Sequence, residues 1–141
     1  MNMTLPYPPS INRYYRHVGY RTLISREGRT FRKNVCALLA GAGGNGGGNG
    51  PHKPPAGGRI ALFMDAFPPD RRIRDLDNLA KPTLDALQHA GIYENDGYID
   101  MLFTRRRHVV PGGRLDVQVI DLPLHKCPLC GAAATAAGDE Q

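Results

Sequence analysis

A small single domain of the α/β class, with a mixed β-sheet and the element order β-α-β-α-β-β, is predicted from the sequence. Its length of 141 residues is typical of one domain. Two segments with helical periodicity, about 25–39 and 77–91, each lie between segments of strand character. A strand, a helix and a second strand imply a crossover and hence a parallel pair. The turn residues PGG at 111–113 then predict an antiparallel hairpin of the last two strands.

The N-terminal part of the chain predicts a strand followed by a helix. Residues 2–7 have extended character and end at a double proline, which can continue neither a ladder nor a helix. Ser25 is a suitable N-cap for a helix that runs to about Leu39. The apolar residues of this helix recur at the spacing of one helical face: Phe31, Val35, Leu38 and Leu39.

Residues 10–20, with the sequence SINRYYRHVGY, interleave basic and aromatic side chains. Such a segment suits a surface that contacts phosphates and stacks on bases. Arg13, Tyr14 and Arg16 are therefore candidate nucleic-acid contacts. The alternative is a loop whose tyrosines pack against the core.

The middle of the chain predicts a connector and then three strands. Residues 41–58 are rich in glycine and then in proline, so they predict a flexible connector within a domain that spans residues 1–125. Residues 59–67 (RIALFMDAF) are apolar on both faces, which indicates an inner strand covered on both sides. The last two strands are predicted at 98–104 and 114–122, the second from its alternating apolar residues.

Four polar residues around the second helix are the main candidates for chemistry. Asp75 and Asp77 stand two residues apart at the helix entry, Lys81 follows four residues later, and Asp96 lies in the next loop. Mg²⁺ prefers oxygen ligands and is typically held by one or two carboxylates together with phosphate oxygens of the substrate. The pattern therefore predicts a magnesium site for cutting a phosphate backbone, with Lys81 as a donor to the charge that develops there.

Each of these residues also has a structural interpretation. Asp75 and Asp77 suit the positive end of a helix dipole. Asp77 and Lys81 have the spacing of an ordinary surface ion pair, and Asp96 suits a turn. Asp85, one turn beyond Lys81, is expected to be structural or to support the site from behind.

Pro82 complicates the second helix. A proline at this position removes a helical hydrogen bond if the helix starts at Asp77. The sequence therefore predicts either a start nearer Ala80 or a kink, and it predicts a C-terminal cap at Gly91.

The charge balance is basic, with a formal net charge of +5 from 18 cationic and 13 acidic residues. Fourteen of the 18 cations are arginines, whose planar forks match phosphate geometry. This composition favours a nucleic-acid partner, and the alternative is a solvated basic surface. The candidate phosphate contacts outside residues 10–20 flank the acidic site on both sides: Arg71, Arg72, Arg74, Arg105, Arg106 and Arg107.

The tail at 126–141 contains Cys127 and Cys130 in a C-x-x-C pattern. This is half of a zinc site, and Cys36, inside a predicted helix, is a poor further ligand, so zinc is not expected there. The chain shows no signal peptide and no apolar run of the roughly 18 to 20 residues that a membrane span needs. We expect a soluble cytoplasmic protein, associated with the nucleoid and without a membrane partner.

Three stretches carry a resemblance to a known family: PYPPSINRYYRH, RRIRDLDNLAKPTLDALQHAGIYENDGYID and GGRLDVQVID. Over roughly residues 3–122 the sequence resembles the RusA family of Holliday junction resolvases. The pattern R-D-L-D-N-L-x-K-x-x-x-D-A-L, followed by a loop aspartate, is far more specific than two nearby aspartates. The glycine-rich 41–58 segment and the tail depart from the family.

The resemblance implies a small homodimer that binds four-way DNA junctions. It implies Mg²⁺-dependent paired nicks in strands of like polarity, with Mn²⁺ able to substitute. The family's essential residues fall on Asp75, Asp77 and Asp96 as metal ligands and on Lys81 as a further catalytic residue. Two alternatives stay open at this point: a non-catalytic protein that binds branched DNA, and a nuclease of broader specificity for branched DNA.

Overall fold

The structure is a computed structural model that describes residues 1–41 and 59–122. The predicted connector, from residue 42 onward, and the tail with Cys127 and Cys130 lie outside the described residues. The elements in chain order are β1 (Asn2–Pro6), α1 (Ile11–Tyr14), β2 (Tyr15–Val18), β3 (Arg21–Ile24), α2 (Arg26–Gly41), β4 (Arg59–Phe67), α3 (Asp77–His89), a 3₁₀ turn (Asp96–Tyr98), β5 (Ile99–Arg106) and β6 (Arg114–Leu122).

Four strands form one sheet in the order β1-β6-β4-β5. β4 and β5 are parallel and are joined through α3, whereas β6 runs antiparallel to both β1 and β4. The predicted α/β domain with a mixed sheet and a parallel pair is therefore confirmed. The six predicted elements are all present, but the chain also forms α1 and a separate pair of strands, β2 and β3.

The predicted hairpin of the last two strands is wrong, because β4 lies between β5 and β6. The connection between them passes the end of β4, where the amide of Arg107 donates to the carbonyl of Ala66 at 2.8 Å. A strand as apolar as β4 gains more from an inner position than from an edge. The turn residues at 111–113 indicate a reversal of the chain and leave the pairing partner undetermined.

The two long helices, α2 and α3, pack against one face of the sheet. Ile60, Leu62 and Met64 of β4 are fully buried there, in the same cluster as Val35 of α2 and Leu87 of α3. β4 is an inner strand, as predicted, but in the described part of the chain helices cover only this face. The opposite face carries partly exposed apolar side chains, among them Phe63 and Phe103.

α2 begins at the predicted cap. The side chain of Ser25 accepts a hydrogen bond from the amide of Gly28 at 3.0 Å. Gly28 is needed for another reason, because a Cβ atom there would lie 2.6 Å from the carbonyl oxygen of Tyr14. Phe31 and Val35 are buried as predicted, whereas Leu38 is 50 % exposed.

α3 begins at Asp77, so the expectation of a start nearer Ala80 is wrong and Pro82 lies inside the helix. The helix ends in the arrangement that glycine favours: Gly91 has φ +76°, its amide donates to Gln88, and the next amide, of Ile92, donates to Leu87. This reversal sends the chain back along α3 and places the following loop beside the helix.

Candidate functional site

The segment that leads into α3 is held by an arginine–carboxylate fork. The two Nη atoms of Arg74 lie 2.6 and 2.9 Å from the two carboxylate oxygens of Asp70, and the amide of Arg72 donates to the same carboxylate at 2.9 Å. These bonds, with that of Arg74 as the largest cause, lower the pKa of Asp70 to about 2. The fork fixes the loop that delivers Asp75 to the helix start.

Asp75 and Asp77 lie exposed at the start of α3. The side chain of Asn78 donates to Asp75 at 3.4 Å, and the backbone amide of Asn78 donates to Asp77 at 2.9 Å. The two carboxylates therefore share one neighbour and present their remaining oxygens to solvent. Their place at the helix start also agrees with the interpretation of dipole-stabilising acids.

Lys81 forms ion pairs away from Asp77. Its Nζ lies 2.8 Å from Asp85 and 3.6 Å from Asp96. The predicted surface pair of Asp77 with Lys81 is not among the ion pairs of the described residues. The hydrogen bond to Asp85, and then the charges of Asp85 and Asp96, raise the pKa of Lys81, so its ammonium is retained well into alkaline solution.

A turn built by other residues brings Asp96 to Lys81. The side chain of Asn95 caps the 3₁₀ turn by accepting from the amide of Gly97 at 2.7 Å. The carbonyl of Gly97 accepts from Arg59 at 2.8 Å, which ties the turn to β4. The turn chemistry expected of Asp96 is thus supplied by Asn95, and the carboxylate of Asp96 is left to face the lysine.

Tyr15 is a residue of the site that the sequence pattern did not identify. Its hydroxyl donates a hydrogen bond to Asp85, whose side chain is only 12 % exposed. Burial, and then this bond, raise the pKa of Tyr15, so it stays a neutral donor. The sequence offered one signal for this contact. Asp85 lies one helical turn beyond Lys81, and an acid that is turned toward the protein interior needs a hydrogen-bond partner.

The structure separates the two adjacent tyrosines. Tyr14 is fully buried, and its hydroxyl accepts from Arg32 at 2.5 Å. The expectation that Tyr14 contacts nucleic acid is not compatible with this burial, since its ring has no free face. Tyr14 instead follows the alternative interpretation of residues 10–20, in which the tyrosines pack against the core.

Several of the predicted phosphate contacts are paired with acids of the same chain. Arg105 makes two hydrogen bonds of 2.8 Å to Asp65, and Arg13 lies 3.1 Å from Glu27. Arg106 donates to the backbone of Arg74, and Arg107 lies 4.0 Å from Asp65. Within the described residues, Arg16 and Arg71 have no acidic partner, and Arg72 is almost fully exposed at 3.9 Å from Asp70. These three arginines are the best placed to meet a phosphate.

A groove of about 1020 Å³ opens beside Asp75, at the approach to α3. It runs from the double-proline segment, past the start of α2, to Asp75 and Asn78. Ile73, 95 % exposed, and Arg72 stand on its rim. An extended backbone strand that lay in this groove would have its phosphates close to Asp75.

The donor chemistry fits a divalent cation that prefers oxygen. Asp75 and Asp77 are two exposed carboxylates at the start of one helix. Mg²⁺ is often bound by one or two carboxylates together with phosphates of the substrate. Within residues 1–41 and 59–122, however, no three histidine, cysteine, aspartate or glutamate side chains are grouped to hold a metal ion. Asp96 is turned toward Lys81, so the three predicted ligands are not grouped around one point in the described part of the chain.

A small mixed α/β domain with paired acids, a charged lysine and a groove amid arginines suits a small nuclease. The family described as Endodeoxyribonuclease RusA matches residues 6–120. Crossover junction endodeoxyribonucleases from Enterobacteria phage 82 and from Escherichia coli (strain K12) are 39 % and 38 % identical to this chain over 121 residues, which is 86 % of this chain and 94 % of each relative. A protein of the same description from Shigella sonnei (strain Ss046) is 39 % identical over the same length. The chain belongs to the RusA family of endodeoxyribonucleases.

Among the described residues no helix is long and apolar enough to cross a membrane.

Proposed function

We propose that this protein resolves four-way DNA junctions by Mg²⁺-dependent hydrolysis of paired phosphodiester bonds in strands of like polarity. The observation that carries the proposal is the arrangement around α3. Asp75 and Asp77 stand at its start, and Lys81 reaches across to Asp96, all within the residues that match the family. The relatives from Enterobacteria phage 82 and Escherichia coli (strain K12) are crossover junction endodeoxyribonucleases, which supports the same substrate.

Asp75 and Asp77, together at the start of α3, are the residues that would hold the metal, with Mn²⁺ as a substitute, and Asp96 would join them only by giving up its contact with Lys81. When bound, Mg²⁺ supplies a more acidic water and neutralises charge on the scissile phosphate. The three acids contribute oxygen donors only, since no histidine or cysteine lies in the set. Carboxylates that face DNA without a cation would repel it, so the surrounding arginines must supply the attraction.

Lys81 contributes a positive charge of fixed position. Its pairing with Asp85 keeps the ammonium protonated and limits its rotation on a flexible stem. Aimed at the phosphate, it would stabilise the negative charge that develops on the oxygens or on the leaving group. Its second contact, with Asp96, is the longer one at 3.6 Å and can be exchanged for a phosphate contact.

We propose a homodimer, because two cuts in one junction require two sites related by a two-fold axis. The open face of the sheet supports this. Phe103 is 47 % exposed and packs with Phe63 at 5.9 Å between ring centroids, and Ile120 is exposed on the same face. A second copy of the chain would bury these side chains.

The test is cleavage of a labelled synthetic four-way junction, a three-way flap and a linear duplex, each with Mg²⁺ and with EDTA. Paired symmetric nicks in the junction, with Mg²⁺ only, are the expected result. Junction binding without cutting in Mg²⁺ or Mn²⁺ would instead make the protein a branched-DNA binder. Equal cutting of the flap would show a broader nuclease.

A further inference from the structure

The pair of strands β2 and β3 forms an arm that stands away from the domain. All eight residues from 16 to 23 are exposed, and the two strands pair with each other and with no strand of the main sheet. An isolated two-stranded ribbon is marginally stable in water. The stability of the arm therefore depends on the contacts at its root, where it joins the domain. Because both faces of the arm are exposed, it is available to a partner.

The root of the arm is fixed to the candidate site. The amide of Ser25 donates to the carbonyl of Tyr14 at 2.8 Å, which closes the base of the hairpin over buried Tyr14. The adjacent residue, Tyr15, donates to Asp85, the partner of Lys81. The arm therefore extends from the same structural unit that positions the lysine.

The charge of the arm is of one sign. No aspartate or glutamate occurs among residues 1–26 of the sequence. The arm carries Arg16 and Arg21, neither with an acidic partner within the described residues, and His17, which is bonded to Thr22 across the strands at 3.1 Å. Such a ribbon complements a phosphate backbone and would be repelled by a basic protein surface, including a second copy of itself.

The tip of the arm is aromatic. Gly19, with φ +59°, makes the turn, and the next residue, Tyr20, has a relative exposure of 110 %, so its ring touches nothing in the domain. Val18 and Leu23 beside it are also exposed. An aromatic ring next to free arginines is the combination that binds single-stranded nucleic acid by stacking on bases. Paired bases inside a duplex offer no free face, whereas bases that unstack at the crossover of a branch do.

We propose that this arm reads the branch of the DNA: Arg16 and Arg21 hold the backbone, and Tyr20 stacks on a base exposed at the crossover. The inference rests on the proposed function for its substrate and adds to it the element that would tell a branch from plain duplex. It also explains why a small domain exposes an aromatic side chain completely, since that ring has a planar partner only when branched DNA is bound.

The experiment compares the full-length wild-type protein with Tyr20→Ala and Tyr20→Trp, in EDTA so that no strand is cut. The DNA probes are a four-way junction with 2-aminopurine at the crossover, the same junction with 2-aminopurine within an arm, and a linear duplex. The control is Leu38→Ala, which removes a half-exposed apolar side chain from the outer surface of α2.

We expect Tyr20→Ala to weaken junction binding about tenfold and duplex binding not at all, because loss of one base–aromatic stack has roughly this effect on affinity. It should also abolish the fluorescence change at the crossover. Tyr20→Trp should retain both, and Leu38→Ala should behave as wild type. Wild-type junction affinity and fluorescence in Tyr20→Ala would overturn the proposal. So would dissociation of a dimer by Tyr20→Ala in sedimentation, because the arm would then serve a second copy.

A parallel assay with Mg²⁺ separates this inference from the proposed function. If the wild-type protein cuts no DNA, the resolvase proposal fails, yet the comparison of Tyr20 variants in EDTA still decides the role of the arm. If the wild-type protein cuts junctions and Tyr20→Ala binds them as tightly, the arm proposal alone fails.

Discussion

The carboxylate of Asp85 lies 2.8 Å from the ammonium of Lys81, one turn away on the same helix, and is itself held by the hydroxyl of Tyr15. Asp85 is nearly buried, whereas Lys81 is half exposed, so the acid holds the lysine from the protein side and the ammonium still faces solvent. Contacts within the protein therefore position Lys81, the proposed donor to the phosphate, before DNA binds.

We predict that Asp85→Asn slows junction cleavage by about 10- to 100-fold with little change in junction affinity, since a lysine released from its partner samples many positions. Single-turnover rates at saturating protein, with Mg²⁺, measure the effect. Tyr15→Phe should show a smaller loss in the same direction, because the aromatic ring stays and only the hydroxyl is removed.

The matched control is Asp116→Asn, which removes a carboxylate from an ion pair with Arg114 on β6, away from α3 and from the turn that carries Asp96. It should cleave as wild type does. If Asp85→Asn and Asp116→Asn are both fully active, Asp85 is only a structural acid. A pH profile distinguishes the two roles, since the alkaline limit of cleavage should move to lower pH only in Asp85→Asn, whose lysine loses the partner that raises its pKa.

Asp75→Asn and Asp96→Asn should each abolish cleavage and leave junction binding unchanged or tighter. Both changes remove a negative charge that faces phosphates and a proposed oxygen ligand of Mg²⁺. Gel-shift titration in EDTA measures binding, and calorimetric titration of Mn²⁺ into the protein–junction complex measures metal affinity apart from activity. Undiminished cleavage by both variants would remove these residues from the proposed mechanism.

The fork between Arg74 and Asp70 predicts an unusually acidic carboxyl. Because the folded-state pKa of Asp70 is about 2, below its ordinary value of 3.8, the contact contributes stability above pH 3.8 that is lost as the pH falls through about 2. Carbon-13 NMR of the aspartate carboxyl groups between pH 1.5 and 6 should show one midpoint near 2. Arg74→Gln should return that midpoint toward 3.8, whereas Arg72→Gln should move it much less. A wild-type midpoint near 3.8 would show that the fork does not form in solution.

The sequence predicts the helices and strands of the main sheet because each has a strong periodic signal or a clear cap, as Ser25 does for α2. It does not predict β2 and β3, since an arm exposed on both faces has no buried side and therefore no alternation. It also misassigns the partner of β6, because the turn after β5 reverses the chain without indicating that β4 will lie between the two strands.

The residues of the candidate site are likewise predicted only in part from the sequence. Asp75, Asp77, Lys81 and Asp96 can be selected from spacing and resemblance, since they lie within one segment of the chain. Tyr15 cannot, because it is separated from Asp85 by 70 positions and only the packing of α1 against α3 brings the two together. Long-range contacts of this kind are decided by the assembled core.

The open face of the sheet gives the prediction for the oligomeric state. Phe103→Lys should convert the proposed dimer to a monomer, because a charge would replace an exposed aromatic side chain on the open face of the sheet. Leu102→Lys is the matched control: Leu102 is the neighbouring residue on β5, is 44 % exposed and points to the opposite side of the strand. Sedimentation velocity at micromolar concentration should show a dimer for wild type and Leu102→Lys and a monomer for Phe103→Lys.

A Phe103→Lys dimer would place the interface elsewhere, and a monomeric wild type would leave the paired cuts without a two-fold axis. In the monomeric variant, loss of paired nicking with retention of the fold by circular dichroism would connect the interface to the function.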